Sequence, residues 1–106
     1  MYKKYMNQFQ GQALLATPAV TNGGGSTGLN FLGNFVDNCQ DCHFDIINIH
    51  HYVQRSQLTV DQAVAALKSY IEKDVPALQA KHPQLQGLPI MIGEVCVPCL
   101  LLSASL

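Results

Sequence analysis

The sequence carries little charge and has no basic cluster. Asp, Glu, Lys and Arg make up 12% of its 106 residues, the net charge is -1, and Lys3 and Lys4 are its only adjacent cations. Proteins that bind nucleic acid or anionic membrane surfaces through charge need a concentrated basic patch, so the sequence argues against both kinds of partner. The chain is globular in composition, since 48% of its residues are hydrophobic.

Long apolar segments are also lacking. No apolar stretch follows the charged N-terminus, so we expect no secretory signal in the chain as written. The apolar tail over residues 95–106 is 12 residues long, whereas a helix that spans a bilayer needs roughly 20. We therefore predict no membrane-spanning segment.

Four cysteines form two C-x-x-C pairs, Cys39 with Cys42 and Cys96 with Cys99. Together they could hold zinc, but 53 residues separate the pairs, where zinc sites usually have about 15 to 20. The first pair continues into His43 and so also matches the attachment motif of c-type haem. We favour a local Cys39–Cys42 disulfide, which would indicate an oxidising, extracellular parent protein, and we predict no metal or cofactor. A small haem or zinc protein is the alternative.

Apolar stretches and turn residues alternate along the chain in the order of a parallel α/β protein. The predicted elements are a helix over residues 1–9, a strand over 13–20 that Pro18 ends, a helix from 29 to about 38, a strand over 44–52, a long helix after residue 59 and a strand over 88–94. The last strand is continuously apolar, which predicts burial on both faces. A complete eight-stranded barrel takes roughly 250 residues, so we expect a partial (β/α)8 TIM barrel with three parallel strands and intervening helices.

The long helix has clear start and break signals. Thr59 and Gln62 form a capping box, and Pro76 is expected in the first turn of a shorter helix that runs to about Lys81. The predicted core-facing stripe of the long helix consists of Val60, Val64, Leu67 and Ile71.

Glu94 is the first candidate for a catalytic residue. The chain has two glutamates, and Glu72 falls in a polar helical segment where a solvated position is the better interpretation. Glu94 ends an apolar strand, which is where barrel enzymes place catalytic residues. The alternative is a carboxylate held at the strand end by a salt bridge or by solvent.

His50, His51 and Tyr52 end the preceding strand. Strand alternation sends His50 and Tyr52 to one side and His51 to the other, so His50 and Tyr52 can face the same mouth as Glu94. Imidazole and phenol groups around a carboxylate suit a polyhydroxylated ligand, whereas divergent histidines make a His-His-Glu zinc site awkward. The alternative is a structural histidine beside a core tyrosine.

Four blocks of this sequence, in this order and spacing, are similar to a known family. They are residues 17–23 (TPAVTNG), 39–42 (CQDC), 44–52 (FDIINIHHY) and 88–94 (LPIMIGE). The chain thereby resembles, over about residues 1–94, the fungal alkali-sensitive-linkage-type glycosyl hydrolases that are placed in glycoside hydrolase family 128.

The resemblance implies a secreted or wall-associated (β/α)8 barrel that acts on β-1,3-glucan with two glutamates. Glu94 matches the nucleophile near the end of the seventh strand. His50 and Tyr52 match residues that line the sugar cleft, His51 stands where many members have tryptophan, and Asn22 is assigned to substrate binding with them.

Two departures from the family pattern qualify this implication. The general-acid glutamate of the family lies in an Asn-Glu-Pro motif that this sequence lacks, and residues 95–106 match nothing in the family. The expectation is a domain over residues 1–94 that contributes the fifth to seventh strands of a retaining β-glucanase and is inactive alone, followed by an unmatched tail. A non-catalytic glucan-binding or cell-wall module is the alternative.

Overall fold

The computed structural model describes residues 2–22, 27–53 and 59–96, and the strands in these ranges form one parallel sheet. The strands are β1 (Val20–Thr21), β2 (Ile47–Tyr52) and β3 (Ile90–Cys96), in the order β1-β2-β3. The helices are α1 (Tyr2–Met6), α2 (Thr27–Asp37), α3 (Val60–Ser69) and α4 (Val75–Lys81), and short 3-10 turns follow α1 and α4. The prediction of an α/β chain with parallel strands and intervening helices is therefore confirmed.

The first strand is shorter than predicted. Ala16 makes an isolated parallel bridge to Ile46, and regular pairing with β2 resumes only at Val20 and Thr21. Pro18 lies between these pairings and has no N–H to donate to a neighbouring strand. Pro18 therefore interrupts the strand, whereas the sequence predicted that it would end it.

The two faces of β2 differ in burial. Ile47, Ile49 and His51 are buried, whereas the alternate residues Asn48, His50 and Tyr52 are partly exposed. The hydrophobic core joins the buried side of β2 to the helices; its helical members are Leu29, Leu32, Val36, Tyr70, Val75 and Leu78. We call the buried side of the sheet the helix face and the side with His50 the open face.

Strand β3 is exposed along most of its length, which corrects the prediction of burial on both faces. Met91, Ile92 and Val95 all expose more than a third of their surface, and Ile90 is the β3 residue that packs against the core. Because β3 is the last strand in the sheet order, it pairs on one side only among the described residues. Its apolarity therefore does not correspond to burial within this part of the chain.

Helix α3 begins as predicted but presents a different surface to the core. The Thr59 N–H donates to Gln62 Oε1 over 3.1 Å, and the Gln62 N–H donates to Thr59 Oγ1 over 3.2 Å, which completes the capping box. Val60 and Val64 of the predicted stripe are 65% and 58% exposed, and Ala63 is the buried residue of α3. The prediction is therefore wrong for Val60 and Val64, whereas Ile71, at the other end of the stripe, is partly buried and packs against the core.

Pro76 lies in the first turn of α4, as predicted. Between α3 and α4 the chain stays helical through a π-helical segment, Tyr70–Asp74. A proline inside a helix removes one backbone donor and crowds the preceding turn, and a wider π turn accommodates both effects.

The turn before β2 contains a disulfide and is hydrogen-bonded to Asn7, in the 3-10 turn that follows α1. Cys39 and Cys42 form a disulfide, with their Cα atoms 5.3 Å apart. Asn7 Nδ2 donates to the Asp41 carbonyl over 2.8 Å, and the His43 N–H donates to Asn7 Oδ1 over 3.2 Å. Residues 97–106 of the predicted tail, which include Cys99, lie outside the described residues.

Candidate active site

The register between β2 and β3 decides which face carries Glu94. Ile49 pairs with Ile92, but the next residue of β2, His50, pairs with Glu94, so Gly93 is an extra residue in β3. Strict alternation from Ile92 would put Glu94 on the helix face. The bulge at Gly93 reverses this and puts Glu94 on the open face, beside His50.

Glu94, His50 and Tyr52 form a small polar group on the open face. His50 Nδ1 lies 3.6 Å from Glu94 Oε2, and the carboxylate side chain is 54% exposed. The His50 and Tyr52 rings are perpendicular, with their centroids 6.3 Å apart. The structure thus brings together three of the residues that the sequence selected, with a carboxylate that solvent or a ligand can reach.

Gly93 provides the space in which this group packs. A Cβ atom on Gly93 would lie 2.5 Å from Asn48 Oδ1 and 3.2 Å from His50 Nε2. These separations are below normal van der Waals contact, so the two side chains occupy the room that glycine leaves. Gly93 therefore permits both the bulge and the close approach of the β2 side chains.

Asn48 belongs to the site although the sequence did not single it out. It lies two residues before His50 on the open face, and its Oδ1 atom is buried without a hydrogen-bond partner among the described residues. Its backbone N–H donates to Oγ1 of the buried Thr17 over 3.0 Å. The alternation that paired His50 with Tyr52 also includes Asn48 and could have identified it.

Asn22, which directly follows β1, is hydrogen-bonded to the backbone of Tyr52. Its Oδ1 accepts from the Tyr52 N–H over 2.6 Å, and its Nδ2 donates to the Tyr52 carbonyl over 2.8 Å. The amide thus extends the pairing of β1 with β2 by one step beyond Thr21. In this structure Asn22 holds Tyr52 in place, and its contribution to substrate binding stays a prediction.

His51 lies on the opposite face from His50 and Tyr52. It is 2% exposed, its ring centroid is 5.5 Å from that of Tyr70, and burial lowers the pKa of its imidazole. The structure therefore does not bring His51 together with the other selected residues. Across the described ranges, no group of three His, Cys, Asp or Glu side chains could hold a metal ion.

The other acidic residues lie away from the open face. Of seven in the sequence, Glu94 is the one that falls on a strand. Glu72 lies in the π-helical segment, with Oε1 3.9 Å from Lys68 Nζ. Asp45 precedes β2, and a hydrogen bond from the Leu15 N–H, with a further one from His43, lowers the pKa of its carboxyl group. The described open face therefore offers one carboxylate, one imidazole and one phenol.

Comparison with known protein families finds a match. The family model described as glycosyl hydrolase catalytic core matches residues 1–97, a range that includes all three strands and Glu94. Comparisons with curated proteins and with solved structures find no match. Within the described ranges, none of the helices has the length and apolarity needed to cross a membrane.

Proposed function

Because the chain belongs to the glycosyl hydrolase catalytic core family, we propose that its open face is the nucleophile-bearing part of a retaining glycosidase site for cell-wall β-1,3-glucan. The main support is the position of Glu94, which the bulge at Gly93 places beside His50 on a face with polar and aromatic side chains. Membership of the family implies a carbohydrate substrate, and the four sequence blocks described above support β-1,3-glucan and family 128.

Each residue has a specific part in this proposal. A Glu94 oxygen bonds to the anomeric carbon as the glycosidic C–O bond breaks, and water later hydrolyses the glycosyl ester. His50 and Tyr52 contact the sugar through hydrogen bonds and through the apolar face of the tyrosine ring. The exposed Glu94 carboxylate is accessible for this attack.

The departing oxygen needs a proton from a second carboxyl group, roughly 5 Å from the first in a retaining enzyme. Among the described strands Glu94 is the one acidic residue, so we propose that the general acid comes from another part of a complete barrel. The chain by itself is then expected to hydrolyse no glucan.

The arrangement of the strands is compatible with the fifth to seventh strands of a (β/α)8 barrel. The strands are parallel and neighbour one another in chain order, as in such barrels. The exposed apolar residues of β3 and the exposed Val60 and Val64 of α3 would be covered by the next strand and helix. The disulfide before β2 supports a secreted or wall-associated parent.

A titration of the isotopically labelled chain with laminari-oligosaccharides tests the binding part of this proposal by NMR. We expect shifts at His50, Tyr52 and Glu94, with cello-oligosaccharides as the matched control for linkage. Loss of one sugar hydrogen bond in His50→Ala should weaken binding about fivefold, as expected for roughly 1 kcal/mol. Shifts confined to the helix face, or equal binding of both oligosaccharides, would contradict the proposal.

A chimeric barrel tests the catalytic part. The chain is joined to βα units of another family member that carry its general acid, and hydrolysis of laminarin is measured. We expect hydrolysis by the chimera, none by the chain alone, loss of activity in Glu94→Gln and retained activity in the control Glu72→Gln. Undiminished activity in Glu94→Gln would remove this residue from the mechanism.

A non-catalytic glucan-binding module is the second candidate, because the described open face has a single carboxylate. Such a module would bind laminari-oligosaccharides through His50 and Tyr52, but Glu94→Gln would leave binding unchanged and the chimera would not hydrolyse glucan.

A further inference from the structure

We propose that Asn48 is a positioning residue of the open face: its Oδ1 accepts the Nε2–H of His50 and so leaves Nδ1, the nitrogen that faces Glu94, without a proton. Both atoms, Asn48 Oδ1 and His50 Nε2, lie within 3.2 Å of the point that a Gly93 Cβ would occupy. The hydrogen bond forms when the Asn48 or the His50 side chain rotates towards the other within this shared space. This inference rests on the proposed function of the open face as a sugar site.

Two backbone contacts hold the main chain of Asn48 in place. Asn48 pairs with Met91 in the sheet, and its N–H is bonded to Oγ1 of the buried Thr17. Its Oδ1 is buried and has no hydrogen-bond partner in the described parts of the chain. Buried acceptors are normally hydrogen-bonded, so an orphaned one on a prospective ligand face needs an explanation.

A neutral imidazole has one N–H, and two acceptors lie near its two nitrogens. Asn48 Oδ1 is on the Nε2 side and Glu94 Oε2 is 3.6 Å from Nδ1. The Glu94 side chain is 54% exposed and can take its hydrogen bonds from water, whereas the Asn48 oxygen is shielded from water. The tautomer with the proton on Nε2 is therefore the more stable one, because only there does the proton satisfy an acceptor that has no other donor.

In this tautomer the site presents two neighbouring hydrogen-bond acceptors, His50 Nδ1 and the Glu94 carboxylate. With the proton on Nε2, the Nδ1 lone pair and the Glu94 carboxylate both face the space between them. Two acceptors 3.6 Å apart suit a ligand hydroxyl, which can donate to either of them. Asn48 thus selects for a hydroxyl donor beside the proposed nucleophile without touching the sugar itself.

Long-range 1H–15N NMR correlation of the imidazole rings tests this inference on the 106-residue chain without any sugar. In the neutral ring we expect His50 to carry its proton on Nε2 and this proton to exchange slowly with water. Asn48→Ala should shift the tautomer ratio about fivefold towards Nδ1–H, and Asn48→Asp, which keeps an acceptor, should restore Nε2–H.

Gln84→Ala is the matched control, because Gln84 Oε1 is also a buried amide oxygen without a partner among the described residues, away from the sheet. It should leave the His50 tautomer unchanged. A wild-type proton on Nδ1, or an unchanged ratio in Asn48→Ala, would overturn the inference; the first of these results is decisive even if a variant does not fold. A correct tautomer without oligosaccharide binding would instead contradict the proposed function alone.

Discussion

Replacing Gly93 with alanine is the most direct perturbation of the candidate site. The new Cβ would lie 2.5 Å from Asn48 Oδ1 and 3.2 Å from His50 Nε2, so both side chains must move. Overpacking of this kind costs typically 1–3 kcal/mol. The lower end applies here, because the nearest atoms belong to side chains and β3 is exposed.

A second effect offsets part of this cost. Gly93 does not have a positive φ, since Gly11 and Gly87 are the glycines with that conformation in the described ranges. Alanine at such a position stabilises by about 0.4–1 kcal/mol, because it restricts the unfolded chain. The net change in the free energy of unfolding should be small, roughly 0–1 kcal/mol, while the site itself is disrupted.

Urea denaturation and NMR together separate these two outcomes. Gly93→Ala should leave the urea midpoint nearly unchanged but shift the resonances of Asn48 and His50 and remove the nuclear Overhauser contact between His50 and Glu94. Gly87→Ala is the control: its φ of 73° strains alanine by about 1 kcal/mol, but no atom lies within 4 Å of the added Cβ. It should lower stability and leave the site resonances in place.

Two results would refute this reasoning. Unchanged resonances of Asn48 and His50 in Gly93→Ala would mean that the bulge tolerates a side chain. Equal disturbance of the site by Gly87→Ala would mean that the effect reports general destabilisation of β3 rather than the contact at Gly93.

Three further predictions concern the rest of the fold. Peptide mass mapping without reductant should find the peptide with Cys39 and Cys42 lighter by two hydrogen atoms than its reduced form, and two free thiols would contradict the prediction. Reduction should lower the free energy of unfolding by roughly 2 kcal/mol, because the loop that the disulfide closes is short. Burial lowers the pKa of His51, so the unfolded chain takes up a proton first and stability falls as pH drops below about 6.5. His51→Phe should make the urea midpoint depend less on pH between about pH 5 and 8, and an unchanged pH dependence would contradict this prediction. Tyr70→Phe removes a buried hydroxyl with no partner among the described residues and should be neutral or up to about 1 kcal/mol stabilising. Burial, together with the charge of Asp74, raises the Tyr70 pKa to about 12, so the variant should also lack the wild-type loss of stability between about pH 10 and 12. A large destabilisation would contradict the first expectation, and an unchanged loss of stability in this pH range would contradict the second.

The sequence by itself determined the features that depend on neighbours along the chain. The alternation of apolar stretches and turns predicted the parallel α/β class, Thr59 and Gln62 predicted the start of α3, and Pro76 predicted the start of α4. The separation of His50 from His51 also followed from the chain alone, because successive residues of any strand point to opposite faces. These features need no knowledge of what packs against them.

Only the tertiary structure decided the composition of the site. Counting along β3 puts Glu94 on the helix face with Ile92, and the pairing with β2 moves it to the open face through one extra residue, Gly93. The same contact brings in Asn48, whose amide lies where any other residue at position 93 would place its side chain. Alternation is a property of one strand, whereas register is set by how two strands and their side chains fit together, so the face that carries Glu94 could not be read from either strand alone.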